Sequence, residues 1–194
     1  MKITKQNSGR IKAATIFLTP ILVLIASTAL FYSGFSPDGK TNNGTLVDPP
    51  LELELLNVNV DSGPLLNEFP GRWTIVHLLN GDCKESCWKT LYSTRQVNTR
   101  LSKDSSRVVR YLLLTSNANL GDDDYRKLEE EYPLLNIGKV RLEDIPERAS
   151  KVLDNSPYIL FDPLGNGVLI YDVRLPGGEL LEDLKKLLRN SQVG

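Results

Sequence analysis

Two thiols stand four residues apart in Cys83-Lys84-Glu85-Ser86-Cys87, and the 194-residue chain has no other cysteine. Residues i and i+4 share a face of a helix. On one turn their Cα atoms lie about 6 Å apart, inside the span that a disulfide accepts. A helix start favours the thiolate through its dipole and its free N–H groups. Lys84 adds positive charge beside the pair, and Glu85 opposes it. Such a pair has three uses: a dithiol/disulfide exchange couple, a soft two-sulfur site for Cu(I), or a static bridge. A bridge over so short a loop removes little chain entropy and stabilises weakly.

Few other residues offer chemistry. His77 is the one histidine; it precedes Cys83 by six residues inside an apolar run. There it is either a hydrogen-bonded core residue or a copper ligand or general base near the cysteines. Trp88, directly after the pair, reads as packing or as a substrate contact. One histidine and two cysteines exclude a multi-histidine metal site, a Cys₄ zinc site and a disulfide framework. Gly165 and Gly167 belong to a turn, so no phosphate-binding glycine loop is present. The acid runs Asp122–Asp124 and Glu129–Glu131 read as solvated helix surface. Lys plus Arg total 23 against 24 acids, and this lack of basic excess excludes a nucleic-acid partner.

The elements that must hold the pair begin with an anchor. Ala13 to Tyr32 is a run of 20 uncharged, mostly apolar residues, enough to cross a bilayer. Lys2, Lys5, Arg10 and Lys12 precede it. The positive-inside rule therefore keeps residues 1–12 cytoplasmic, sets the span at 13–33 and exports the rest of the chain. The expected place is the cytoplasmic (inner) membrane, with one pass and an extracytoplasmic, periplasmic C-terminal domain. The run is longer than a signal-peptide core, although Ala26-Ser27-Thr28-Ala29 is small enough to be cut. Without the four leading cations, 19 basic residues face 24 acids in the exported part, a net −5. Export places the cysteines outside the reducing cytosol.

Residues 34–50, rich in Pro, Gly and Asn, read as an extended linker, and 51–194 as one domain. Leu51–Val60 alternates like an edge strand. Trp73–Leu79 and Val108–Thr115 are apolar runs of buried-strand type. Cys87, Leu91, Thr94, Val97 and Leu101 mark one helix face. Asp122–Tyr132 and Leu142–Leu153 read as further helices. Tyr158–Phe161 and Val168–Tyr171 flank a hairpin turn, and Leu180 to Leu188 closes the chain with an amphipathic helix. This alternation implies an α/β fold: a three-layer sandwich on a central mixed sheet, in the thioredoxin-like arrangement, behind a single N-terminal transmembrane helix. The cysteines fall after a central strand, where that arrangement keeps its chemistry. Its cis-proline before the late strand corresponds to Pro157, facing the cysteines.

The stretch Gly71-Arg72-Trp73 through Cys83-Lys84-Glu85-Ser86-Cys87-Trp88-Lys89-Thr90-Leu91, with Tyr158-Ile159-Leu160-Phe161-Asp162-Pro163 later, resembles the Sco/SenC family. That resemblance implies a membrane-anchored thioredoxin fold, copper as cargo, and partners among respiratory oxidase subunits or other assembly factors of cytochrome c oxidase. Cys83 and Cys87 carry over as thiol or Cu(I) residues. The family's proline after the second cysteine is Trp88 here, and the segment that holds its metal-binding histidine reads Asp154-Asn155-Ser156-Pro157. The third copper ligand is therefore missing. The segment Ser36–Leu46 and Leu91-Tyr92-x-x-Arg95-Gln96-Val97 also resemble an uncharacterised group of proteobacterial membrane proteins associated with oxidase assembly. The functional expectation is a tethered assembly factor acting by thiol–disulfide exchange, transient Cu(I) handling, or both. The alternative is a non-catalytic docking scaffold braced by a structural disulfide.

Overall fold

The computed structural model describes residues 5–34, 41–52, 59–60, 71–141, 143, 158–172 and 177–191. Contacts divide the chain into two units, 1–41 and 42–194.

The first unit is helix α1, Lys5–Tyr32. Its stretch Gly9–Tyr32 has mean hydropathy 2.2, none of it covered by protein, and is long and apolar enough to cross a membrane. Pro20 lies within it and offers no N–H to the preceding turn. The Thr15, Thr19 and Thr28 hydroxyls donate to the carbonyls of Ile11, Thr15 and Leu24, at 2.7, 2.7 and 2.8 Å. Such internal satisfaction is what hydrocarbon demands of a polar side chain.

The second unit is built on the two apolar runs. Strand β3, Trp73–Leu79, and strand β4, Val108–Leu114, pair in parallel at the centre of a seven-stranded sheet. A parallel pair needs a crossover connection, and helix α2, Glu85–Arg100, supplies it, followed by a 3₁₀ turn at Ser102–Arg107. Helix α3, Asp122–Glu131, leads into β5, Leu135–Lys139, parallel to β4. The short strand β2, Asn59–Val60, pairs with β5 at one edge. On the other side, β6, Tyr158–Phe161, runs antiparallel to β3, and β7, Asn166–Tyr171, antiparallel to β6. The Asp162 carboxylate nucleates that hairpin by accepting from the Leu164 and Asn166 N–H groups, both at 2.9 Å. The closing helix α4, Gly177–Asn190, buries Leu180, Leu181, Leu184 and Leu188.

The mixed sheet has the order β1-β7-β6-β3-β4-β5-β2. Two readings change. Strand β1, Thr45–Glu52, pairs with β7 and forms the outer edge, so the expected linker over 34–50 yields its last residues to the sheet. Its Pro49-Pro50 has no N–H for the ladder, and the register shifts between Leu46 and Leu51, which an edge strand tolerates. Strand β5 was missed, because Leu-Asn-Ile-Gly-Lys is short and broken by glycine. The helix expected over 142–153 lies outside the described residues, apart from Glu143.

Odd positions of β3 and even positions of β4 face α2 and α4. There Trp73, Ile75, Val97, Leu101, Val108, Leu180 and Leu184 share one cluster, while Leu79, Leu91, Leu112, Leu114, Leu128 and Tyr132 share a second. The opposite face gathers Val47, Leu51, Val76, Tyr111, Leu113, Ile159 and Phe161. Arrival of the chain at the sheet is fixed by Asp183, only 2% exposed. Its carboxylate accepts from the Asn43 N–H at 2.9 Å, the Gly44 N–H at 3.0 Å and the Tyr171 hydroxyl at 2.9 Å.

Candidate functional site: a disulfide at the β3–α2 junction

The carboxyl end of β3 runs into Asn80-Gly81-Asp82, a loop held from the side by the segment after β4. Thr115 N–H donates to the Leu79 carbonyl at 3.0 Å, and Asn119 N–H to that of Gly81 at 2.9 Å. The Thr115 hydroxyl reaches the Asn80 side-chain oxygen at 3.1 Å, and the Asn119 amide reaches Asp82 at 2.8 Å. Gly81 has φ +101, a conformation open to glycine at little cost. These bonds fix the point from which Cys83 leaves the sheet.

Cys83 lies just outside the helix, Lys84 is its N-cap in extended conformation, and Cys87 is the third helical residue. The two cysteines are disulfide-bonded, with Cα atoms 5.3 Å apart. The expectation that both sit on one helical turn is thus altered: one thiol is on the loop, the other in the first turn. A Lys84 N–H bond to the Asp82 carbonyl at 3.0 Å bends the backbone around Cys83, so the pair closes across the helix start rather than along it. The side chain of Lys84 makes no cap. The first N–H groups of α2 are therefore left without a helical partner or a side-chain cap from Lys84. Both cysteines are half-buried and pack against the cluster of Leu79, Leu91 and Leu114.

Trp88 follows Cys87 and packs on the same cluster. The Lys127 ammonium lies 4.1 Å from its ring centroid, and the Tyr132 ring 6.1 Å away. Sequence reasoning left Lys127 and Tyr132 unremarked; no local pattern announces a partner forty residues on.

His77 projects to the α2 side of the sheet and is buried. Its Nε2 is 3.1 Å from the Thr94 hydroxyl, which itself donates to the Leu91 carbonyl at 3.2 Å. Nε2 is thus engaged with Thr94 inside the core, whichever of the two donates. Tyr158 lies beside the imidazole, ring centroids 5.4 Å apart. Burial, and next the charge of Glu179, raise the Tyr158 hydroxyl well above the usual tyrosine range. Pro157 lies outside the described residues. Asp122, Asp123, Asp124, Glu129, Glu130 and Glu131 are all exposed except Asp124, which is half-buried and whose carboxylate accepts from the Gly121 N–H at 3.1 Å. Among the described residues no three His, Cys, Asp or Glu side chains gather as a metal site. The donor set is two sulfurs, free to bind a soft ion only once reduced.

A mixed sheet with a disulfide at the β3–α2 junction, on a chain with a helix able to span a membrane, defines a tethered thioredoxin-like domain. The family described as transmembrane-like, thioredoxin-like, C-terminal domain matches residues 73–191, and the chain belongs to it. No curated protein matches the sequence. Among solved structures, copper-bound ScoI of Arabidopsis thaliana is 17% identical, with TM-score 0.54 over 76% of this chain and 99% of that one. Copper-bound yeast Sco1 is 13% identical, with TM-score 0.56 over 79% and 96%. BsSco, a Sco-family cytochrome c oxidase assembly protein with a disulfide switch, is 15% identical, with TM-score 0.50 over 80% and 100%. At these identities the likeness is one of fold, and the fold is that of the Sco proteins.

Proposed function

We propose that this chain is a membrane-tethered, extracytoplasmic assembly factor of the respiratory oxidase that works through the Cys83/Cys87 couple. The observation that carries the reading is the half-buried bridge at a helix start, in a Sco-like fold. In its reduced form, one thiolate attacks a partner's disulfide and forms a mixed disulfide. The second cysteine then displaces the partner's thiolate. The partner gains two electrons and two protons, and Cys83–Cys87 is left oxidised until an external dithiol restores it. The N-terminus of α2 supports whichever thiolate is present.

The Sco neighbours solved with copper support a second use of the reduced pair, transient Cu(I) carriage to the oxidase. Two thiolates suffice for Cu(I), which accepts low coordination, whereas Cu(II) wants an imidazole, and the segment Asp154-Asn155-Ser156-Pro157 holds none. Thiol exchange is accordingly the primary role. The basic residues before α1 support an orientation with the domain outside the cytoplasmic membrane.

The test is oxidase assembly in cells that carry Cys83→Ser or Cys87→Ser. Either variant should behave as the deletion does. Normal oxidase in both, with loss only in the deletion, would refute thiol chemistry and leave a docking scaffold. Cu(I) titration of the reduced chain against a competing chelator separates the two uses. One-to-one binding that vanishes in the double serine variant supports carriage.

A further inference from the structure

Arg110 is a cation placed where the fold needs none. It is the third residue of β4, 2% exposed, in register with Ile75 of β3 and Leu135 of β5. Both neighbours are apolar, and Leu or Met would fill the position. Its Nε and Nη1 have no hydrogen-bond partner among the described residues. A buried charge left in that state costs several kcal/mol. The side chain faces a pocket of about 190 Å³ lined also by Arg95, Asn98, Thr99, Tyr132 and Leu134. Arg95 lies over the Tyr132 ring, 5.4 Å from its centroid. Glu131 stands at the rim, exposed, and is ion-paired to neither arginine. Two guanidinium groups thus converge with no anion between them among the described residues. Burial, and next the charge of Arg95, lower Arg110 to about 10.

We infer that this pocket binds a carboxylate carried on an apolar body. The buried guanidinium and Arg95 supply charge-assisted donors. Asn98, which gives one amide hydrogen to the Val108 carbonyl, has a second to offer, and Tyr132 with Leu134, 73% exposed, forms an apolar wall. The carboxylate comes from a free organic acid or from an acidic end of a polypeptide. The Tyr132 ring also lies 6.1 Å from that of Trp88, the residue after Cys87. The site stands apart from the thiol chemistry, and its existence does not depend on the proposed function.

The experiment follows the Arg110 Nε–H resonance of the full chain in detergent micelles, with arginine labelled with ¹⁵N. The probes are benzoate, inorganic phosphate, and a short peptide ending in phenylalanine as its carboxylate or its amide, all at constant ionic strength. Saturable shifts are expected with benzoate or the carboxylate peptide below about 10 mM. The amide peptide should give none, and Arg95→Gln should weaken binding at least tenfold. Benzoate alone points to a free acid, and preference for the peptide points to a polypeptide end. No saturable shift with either carboxylate, or saturation by phosphate alone, overturns the assignment. Arg110→Met should melt no lower than the parent without ligand and lose any ligand-induced rise. A lower melting temperature in that variant would make Arg110 a structural residue and also overturn the inference.

Discussion

Reducing the Cys83–Cys87 bridge should leave the domain folded, because the bridge closes so little chain. The cysteines are four positions apart, a closed loop of five residues. The chain-entropy relation gives about 7 cal/mol/K for that length, or about 2 kcal/mol at 25 °C. The cysteines pack against Leu79, Leu91 and Leu114, and reduction is expected to keep those contacts, so little else should be lost. For a domain of this size each kcal/mol moves Tm by roughly 2–4 °C, which puts the reduced form roughly 4–8 °C below the oxidised one. The same free energy, read as a potential, is about 45 mV between the couple in the folded and unfolded chain. Thermal melts followed by circular dichroism, with and without a phosphine reductant, measure both forms of the full-length protein in detergent. An exchange couple has to open and close without unfolding its carrier. If the reduced protein is unfolded at 25 °C, or its Tm falls several times further than this, the bridge is a clasp for the fold and the exchange mechanism fails.

Two further outcomes rest on buried groups on the α2 and α4 side. Asp183→Ala strands the Asn43 and Gly44 N–H groups and the Tyr171 hydroxyl. At about 1–3 kcal/mol for each of the two buried orphans, the Gly44 N–H and the Tyr171 hydroxyl, the loss in urea unfolding should be about 2–6 kcal/mol; a loss under about 1 kcal/mol contradicts the clamp. Burial first, and then Asp183 for Tyr171 and Glu179 for Tyr158, raise both hydroxyls above their ordinary value of 10.0. The unfolded chain releases these protons first, so the stabilisation is whole below pH 10 and is lost as pH rises beyond it. The unfolding free energy from urea titration should fall as pH rises from about 10 to 11, by up to about 1.4 kcal/mol per pH unit for each tyrosine, and a flat profile in wild type would refute the burial argument.

The parts of the fold legible in the sequence were those with strong periodicity. Trp73–Leu79 and Val108–Leu114 declared themselves as buried strands because parallel strands covered on both faces are apolar throughout. The α2 face was legible through Leu91, Thr94 and Val97, which are the residues it buries. Cys83 and Cys87 were legible because nothing else in the chain competes for thiol chemistry. Strand β1 was hidden by its Pro49-Pro50, a linker signal that an edge position permits. Asp183 was hidden in a leucine-rich helix, since its partners come from residues 43 and 44 and from β7. Arg110 did leave a trace: one charge inside Val-Val-Arg-Tyr-Leu-Leu-Leu is an anomaly that hydrophobic patterning passes over. Thr94 read as an ordinary face residue, and only the fold shows that its hydroxyl engages His77.

The two proposed uses of the cysteine pair compete for the same two sulfurs. In the bridge neither sulfur carries thiolate charge, so a soft metal finds no thiolate donor until two electrons are added. Copper carriage therefore presupposes reduction, whereas exchange begins from either redox state. A bound Cu(I) ion would rest on two sulfurs alone, because Nε2 of His77 is already engaged with Thr94 in the core. Recruiting that nitrogen means breaking a buried hydrogen bond and stranding the Thr94 oxygen, at a cost of about 1–3 kcal/mol. Two-coordinate sulfur favours Cu(I) and gives little hold on Cu(II). A metal loaded here would leave whenever the pair is oxidised, which suits delivery and not storage. Thiol exchange asks nothing further of the chain than a fixed loop at Asn80-Gly81-Asp82, a helix start and an accessible bridge, and all three are in place.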